Sequence, residues 1–368
     1  MQTRAGTASD NGLEGEAGDL AGRLFTRPEY LEPLERCGCA SPQTGWTSAP
    51  LRSAAGSAPC YEKAHSWGEF VFDFEFAAAY EQRGLRYYPK LVCCVPFTPV
   101  SGPRLLARDN DGKAALAAAL TDAAASRRCS GAHILFLPRE DAELLEPLGW
   151  LPRRQLRYVW RNAGYAGFDE FLARLSSKKR RNIRRERAAL AQADLEISWC
   201  AGAELSPTRW RQVFELYAST YRLRGQPPYL NLDCLRAWAE NFSGAMQFCL
   251  AQRGGKLLAM AFYFREGGRL YGRHWGAQAD IPGLHFELCY YQGIDYCIRH
   301  GLQHFDSGVQ GEHRLLRGFE PEFSYSAHWF AHAGFRAAIA RVLERERAAL
   351  DAHLELAREH SAFKQATY

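Results

Sequence analysis

Polar side chains suited to acid–base and binding chemistry gather in one stretch of the chain, residues 256–314. A histidine and a glutamate lie close together twice, first as His285 and Glu287 and then as Glu312 and His313. Carboxylates and imidazoles are the side chains that most often accept protons near neutral pH. One isolated His or Glu is more often structural, but several at loop junctions favour a functional site.

The same stretch predicts the elements that would position these residues. In order they are a strand over 256–265, a turn over 266–268, a strand over 269–277, a helix over 284–300 and a strand over 303–306. Asp280 and Pro282 suit the start of the helix, and Gly301 suits its end. A helix that crosses between strands of such a sheet points its N-terminus at the strand ends, where ligands bind.

A second polar group lies in the first half of the chain. His65, Glu69 and Asp73 are spaced by four residues, as metal ligands on one helix face would be. No further histidine completes a tetrahedral set, so we expect no metal. Residues 98–104 form a Pro- and Gly-rich loop that ends in Arg104, which suits a carboxylate or phosphate site and equally a structural turn.

The strongest charge feature is the segment 176–187, with seven basic residues and one acid. Its cations from Lys178 to Arg187 would cover most of a helix's circumference, so the helix cannot be buried on one broad face. Three interpretations remain open: a solvated surface helix, contact with a polyanion such as tRNA, or contact with an anionic lipid surface.

Bulk properties limit the class of protein. A chain of 368 residues with 47% hydrophobic and 24% charged content is globular and long enough for two domains. No apolar run is long enough for a transmembrane helix, and residues 1–20 read as a disordered lead without an export signal. The 11 cysteines, several within apolar runs, indicate a reduced, cytoplasmic protein. Among them Cys289, four residues after His285, leaves a covalent mechanism as a minor alternative.

Several long strings resemble one bacterial family. They are HSWGEFVFD (65–73), RYYPKL (86–91), VPFTPVSGPRLL (95–106), GRHW (272–275), IPGLHFELCYYQGIDYCI (281–298), GVQGEH (308–313) and GFEP (318–321). The family is the FemAB-like one, also described as GNAT-family N-acetyltransferases or peptidoglycan biosynthesis proteins. The resemblance implies a mixed α/β fold with tandem GNAT-like (acyl-CoA N-acyltransferase) domains, as in Fem-type transferases.

On that resemblance we expect a first GNAT-like domain over 21–162, a second over 163–332, and a C-terminal helix over 333–368. We expect each domain to have a sheet of its own. The matching order of predicted elements in the two halves is the further reason for this division.

The resemblance also implies roles for residues. The helix start would bind the pyrophosphate of coenzyme A through Ile281 and Gly283, with Arg273 nearby. Glu287 or Glu312 would be the base, with His285 or His313 as its partner. The expected substrate-binding residues are Tyr88, Lys90, Thr98, Arg104, Trp275 and Gln310.

Three functions follow as hypotheses. The first is an N-acyltransferase that moves an acyl group from acyl-CoA, a co-substrate rather than a tightly bound cofactor, to a small-molecule amine. The second is Fem-type aminoacyl transfer from charged tRNA to a peptidoglycan or other precursor, which the basic segment favours. The third is a non-catalytic protein that binds an acyl or polyanionic ligand.

Overall fold

The computed structural model describes residues 22–308, 311–359 and 361–364. The residues 1–20 expected to form a disordered lead, and Gln310, lie outside the described residues. The strands are β1 Trp46–Ser48, β2 Leu51–Ser53, β3 Gly56–Ala58, β4 Cys60–Lys63, β5 Lys90–Cys93, β6 Leu106–Ala107, β7 Gly131–Leu137, β8 Leu151–Arg161, β9 Glu196–Ala201, β10 Met246–Arg253, β11 Lys256–Glu266, β12 Arg269–Ala277, β13 His304–Asp306 and β14 Glu320–Phe330.

The helices pack around these strands, of which β2, β3 and β6 form a separate three-stranded sheet. They are α1 Pro28–Arg36, α2 Phe74–Glu81, α3 Asn110–Ser126, α4 Arg139–Leu145, α5 Phe168–Arg174, α6 Ser177–Ala191, α7 Pro207–Arg222, α8 Leu232–Asn241, α9 Leu284–Phe286, α10 Gln292–Arg299 and α11 Ala333–Glu359. A π-helical turn, Glu287–Tyr291, joins α9 to α10, and a 3₁₀ turn, Glu312–Arg317, precedes β14. Within the described ranges no helix is both long and apolar enough to cross a membrane.

One sheet runs through both halves of the chain. Among the described residues it has eleven strands in the order β1-β4-β5-β7-β14-β8-β13-β12-β11-β10-β9. The expectation of two separate sheets is therefore wrong. The reason is an exchange of last strands: β14 pairs with β7 of the first half, and β8 pairs with β13 of the second. The position of a domain boundary near residue 162 stays a prediction.

The exchange makes the order of strands symmetrical about the antiparallel pair β8 and β14. On one side β7 runs parallel to β5, which is antiparallel to β4. On the other side β13 runs parallel to β12, which is antiparallel to β11. Each half thus contains one parallel strand pair. The last strands of the two halves, β8 and β14, pair with each other, so the centre of the sheet has no unpaired strand edge.

Apolar clusters on both faces hold the helices against the sheet. Trp160, Phe171 and Tyr291 are buried in the cluster under α5, α6 and α10. On the other face, Trp238 of α8 stacks on Tyr30 of α1 with ring centroids 4.2 Å apart. Burial of such large side chains contributes about 1.5–3 kcal/mol each. The result is a rigid frame around the carboxyl ends of β12 and β13.

Candidate active site

The parallel strands β12 and β13 pair over three residues and then diverge. Their last pair is Tyr271 with Asp306, where β13 ends while β12 continues to Ala277. The next residue of β12 is Gly272, and a Cβ atom there would lie 3.5 Å from the Phe305 ring. Beyond this fork lies a cavity of about 130 Å³. It therefore opens at the carboxyl ends of parallel strands, a common place for ligands in open sheets.

A β-bulge brings Arg273 to this cavity. The pairing of β11 with β12 shifts between Phe262 and Tyr263, so that Arg273 has no partner residue on β11. Bulges of this kind redirect side chains and are common beside active sites. Arg273 lines the cavity, and its guanidinium donates to the Phe97 carbonyl at 2.8 Å and to Thr98 Oγ1 at 3.1 Å. Arg273 thus joins the cavity to the predicted loop 98–104.

The helix after β12 supplies another wall. Its π-helical turn leaves the Leu288 carbonyl free to accept a hydrogen bond from the buried Tyr263 hydroxyl. Such turns often occur at functional sites. His285, Cys289 and Tyr290 of this helix line the cavity. Burial raises the pKa of the Cys289 thiol above its usual range, which disfavours the thiolate that a covalent mechanism needs.

Two predicted histidines meet at the cavity. The His285 and His313 rings lie 6.3 Å apart, and Trp275, another predicted site residue, lies 5.4 Å from His285. His313 Nε2 is 2.8 Å from the Tyr290 hydroxyl. Burial, and next the neighbouring His313, lower the pKa of His285 to about 4. Burial and Arg314 also lower the pKa of His313. Both imidazoles are thus free to accept a proton at pH 7.

Arg314 is a cavity residue that the sequence analysis did not single out. Its guanidinium lies over the Tyr290 ring, 5.6 Å from the centroid. The buried Nε and Nη1 atoms have no hydrogen-bond partner, and the buried Nε2 of His274 has none either. The position beside His313, in a loop with Gly308 and Gly311, was the available signal. A sequence does not reveal that these donors lack acceptors.

Glu287 lies elsewhere. Its buried carboxylate accepts hydrogen bonds of 3.0 and 3.1 Å from Arg187 of α6 and of 2.9 Å from Gln292. It does not line the cavity, and its geometry is that of an anchor for α6. Glu312 begins the 3₁₀ turn after Gly311, whose φ is +101°. The roles of both residues as a base stay predictions.

The predicted coenzyme A turn packs against α6. Leu284 N donates to the Ile281 carbonyl at 3.1 Å, which closes the turn. Gly283 has a φ of +83°, and a Cβ atom there would lie 3.6 Å from Leu190 of α6. The Ile281 side chain packs against the core. One face of this turn is therefore covered, and pyrophosphate binding by Ile281 and Gly283 stays a prediction.

The other predicted residues of the first half lie away from the cavity. Lys90 is fully buried and donates to Glu69 at 2.7 Å, to Ser66 at 2.8 Å and to Asp73. Burial opposes the charge of Asp73, but Lys90 outweighs it and lowers the pKa of that carboxyl. Glu69 and Asp73 therefore neutralise a lysine. The Tyr88 hydroxyl lies 2.8 Å from Ser66 Oγ in the same network.

The basic segment forms α6, and part of its charge is used internally. Arg187 pairs with Glu287, and Arg184 lies 3.4 Å from Asp169. Ile183 and Leu190 are buried under the helix. Other cations of the segment are exposed, namely Lys178, Arg181 and Arg185. Within the described part of the chain these three have no ion-pair partner, which leaves a basic surface available to an anion.

The strand order and the fork at β12 define the mixed α/β, GNAT-like fold of Fem-type transferases. A family model described as peptidoglycan biosynthesis/recognition matches residues 13–365. The chain belongs to this FemAB-like family, and the resemblance found in the sequence is confirmed. A search of curated proteins by sequence found no significant match.

Solved structures agree with the fold at low sequence identity. FemX is similar with a TM-score of 0.54 and 11% identity over 87% of this chain and 95% of that chain. L-PGS from Bacillus licheniformis is similar with a TM-score of 0.53 and 13% identity over 86% and 97%. The C-terminal domain (DUF2156) of a putative lysylphosphatidylglycerol synthetase from Agrobacterium fabrum gives 0.51 and 12% over 84% and 95%.

Proposed function

We propose that the chain transfers an acyl group from an acyl-CoA-type thioester to an amine in the cavity between β12 and β13. The observation that carries this proposal is the uncharged His285 imidazole in one cavity of about 130 Å³ with Arg273 and Arg314. The amine nitrogen attacks the carbonyl carbon, and the carbon–sulfur bond breaks. The amine proton passes to His285 and then to the leaving sulfur, so that an amide and a thiol result.

The positive potential of the cavity supports the same reaction. Attack creates negative charge on the carbonyl oxygen, and a guanidinium in a site of low dielectric stabilises such charge strongly. The guanidinium groups of Arg273 and Arg314 both line the cavity. They also disfavour an ammonium ion there, so the acceptor enters as the neutral amine that the attack requires.

A second candidate is aminoacyl transfer from charged tRNA, because exposed cations of α6 remain without ion pairs. The chemistry at the carbonyl carbon is the same, except that a carbon–oxygen bond breaks and the leaving oxygen takes the proton. The family description supports a peptidoglycan precursor as the acceptor in this case.

One assay distinguishes the two candidate acyl donors. The purified chain is incubated with acetyl-CoA or with alanyl-tRNA and a set of amine acceptors, and mass spectrometry follows the product. We expect product with the thioester. Product with the tRNA alone would establish the second candidate, and binding without product from either donor would support a non-catalytic binding protein.

The basic surface of α6 has its own test. In the variant with Lys178, Lys179, Arg180 and Arg181 changed to Glu, tRNA binding should weaken if α6 is its contact. Binding to the unchanged protein should then fall steeply as salt increases. Equal affinity of both proteins for tRNA would leave α6 as a solvated surface helix, and binding to anionic vesicles instead would identify a lipid contact.

A further inference from the structure

Arg314 differs from the arginines around it. Arg317, three residues later in the same 3₁₀ turn, lies 3.1 Å from the Glu186 carboxylate. Arg157 pairs with Asp306, and Arg187 pairs with Glu287. Among the described side chains, which do not include that of Glu312, no carboxylate lies within ion-pair distance of Arg314. A half-buried guanidinium without a carboxylate partner is suited to bind an anion from outside the chain.

The rest of the cavity wall fits the same ligand. Arg273 also lines the cavity, and its Nη2 donates to the Phe97 carbonyl and to Thr98 Oγ1. The described side chains that line the cavity include no aspartate or glutamate, and the Glu312 side chain lies outside the described ones. A wall with guanidinium donors and no acidic acceptor selects an oxyanion over a cation.

We propose that this cavity binds a carboxylate carried by one of the two reactants, with Arg314 as its main ligand and Arg273 beside it. The inference rests on the proposed function only for the identity of those reactants. Arg suits this role because its planar donors match a carboxylate. The cavity volume of about 130 Å³ fits a short segment of a molecule, not a nucleotide.

The carboxylate has two chemical sources. It belongs either to the acyl group, as in the half-thioester of a dicarboxylic acid, or to the amine, as in an amino acid. In both cases it holds the reactant beside His285 without taking part in bond formation. Arg314 is therefore a specificity-determining residue on this view.

Two matched ligand pairs test the proposal by calorimetry, without turnover. Comparing the affinities for succinyl-CoA and acetyl-CoA tests for a carboxylate on the acyl group. Comparing those for L-alanine and L-alaninamide tests for a carboxylate on the amine. In the unchanged protein we expect one pair to differ by about 10- to 100-fold in Kd, the effect of a hydrogen bond to a charged group. Arg314→Gln should abolish this preference, and Arg314→Lys should keep part of it.

Arg299→Gln is the control variant, because it removes an exposed guanidinium that pairs with Asp295 on α10. It should keep the full preference. Equal binding within both pairs, or a preference that survives Arg314→Gln, would overturn the proposal. If Arg314→Gln does not fold, the unchanged protein and Arg314→Lys still decide. A preference for the carboxylate ligand without any acyl transfer would reject the proposed function and keep this inference. Acyl transfer without that preference would keep the proposed function and reject this inference.

Discussion

The two parallel strand pairs of the sheet end in different ways. The fork between β12 and β13 is an open cavity lined by Arg314, whereas the fork between β5 and β7 is filled by the loop that ends at Arg104. Gly102 N donates to the Phe136 carbonyl of β7, so this loop lies between the strands. The Arg104 guanidinium donates to the carbonyls of Val100, Gly102 and Pro103 at 2.5, 3.1 and 3.1 Å.

The same chemical group thus has opposite uses at equivalent places in the two halves. Arg104 is fully buried, and backbone carbonyls accept from both of its terminal nitrogens. It stabilises the loop and leaves no room for a ligand. Arg314 is half-buried and lines the cavity, and its Nε and Nη1 atoms have no hydrogen-bond partner among the described residues. The lesson is that the acceptors around a buried guanidinium decide whether it is structural or binds a ligand.

The largest expected effect concerns the histidines of the two halves. His285→Asn should lower turnover by about 10²- to 10⁴-fold, because it removes the proton acceptor. His133, buried on β7 and 2.9 Å from His328, is the matched residue of the filled half. His133→Asn should leave turnover unchanged and lower the melting temperature. Steady-state kinetics and thermal unfolding measure both, and equal turnover of both variants would contradict the assignment.

The arginines provide the next test. Arg104→Met should lower the free energy of unfolding by about 3 kcal/mol or more, because it leaves three buried carbonyls without donors. Arg314→Met should change it by less than about 1 kcal/mol, because it removes a buried charge that had no partner. Urea denaturation gives both values. Similar large losses would mean that Arg314 has an internal partner and is structural.

The two predicted glutamates, Glu287 and Glu312, can be assigned to a structural or a catalytic role by comparing stability with turnover. Glu287→Gln should lower the free energy of unfolding by about 1–3 kcal/mol, because it weakens the bonds from Arg187, and should keep turnover. Glu312→Gln examines the other predicted base. A normally folded but inert Glu312→Gln would assign the base to Glu312, and an inert, stable Glu287→Gln would restore the prediction for Glu287.

The last expected effect is a pH dependence of stability. The pKa of His285 is about 4 in the folded protein and about 6.5 in the unfolded chain, so only the unfolded chain binds this proton in between. Stability should therefore fall as pH decreases from 6.5 to 4, by about 1.4 kcal/mol per unit for this group. His285→Asn should remove that part of the slope.

Local sequence patterns were sufficient for much of the second half. The apolar run over 256–265, the turn at 266–268 and the helix ended by Gly301 predicted β11, β12 and the helix with about the observed bounds. Each of these signals acts between residues close in the chain. For the same reason the sequence located His285, His313 and Trp275 near one another, since they flank a single helix.

Tertiary structure decided what each charged side chain does. Glu287 and Arg187 lie 100 residues apart in the sequence, and Arg273 and Thr98 lie 175 apart, so no local pattern could pair them. The exchange of β8 and β14 likewise depends on pairing between distant strands, where hydrogen bonds carry no residue-specific signal. The sequence by itself determined the family and the elements over residues 256–306. Only packing decided that Glu287 and Lys90 are neutralised inside the fold while Arg314 keeps donors free for a ligand.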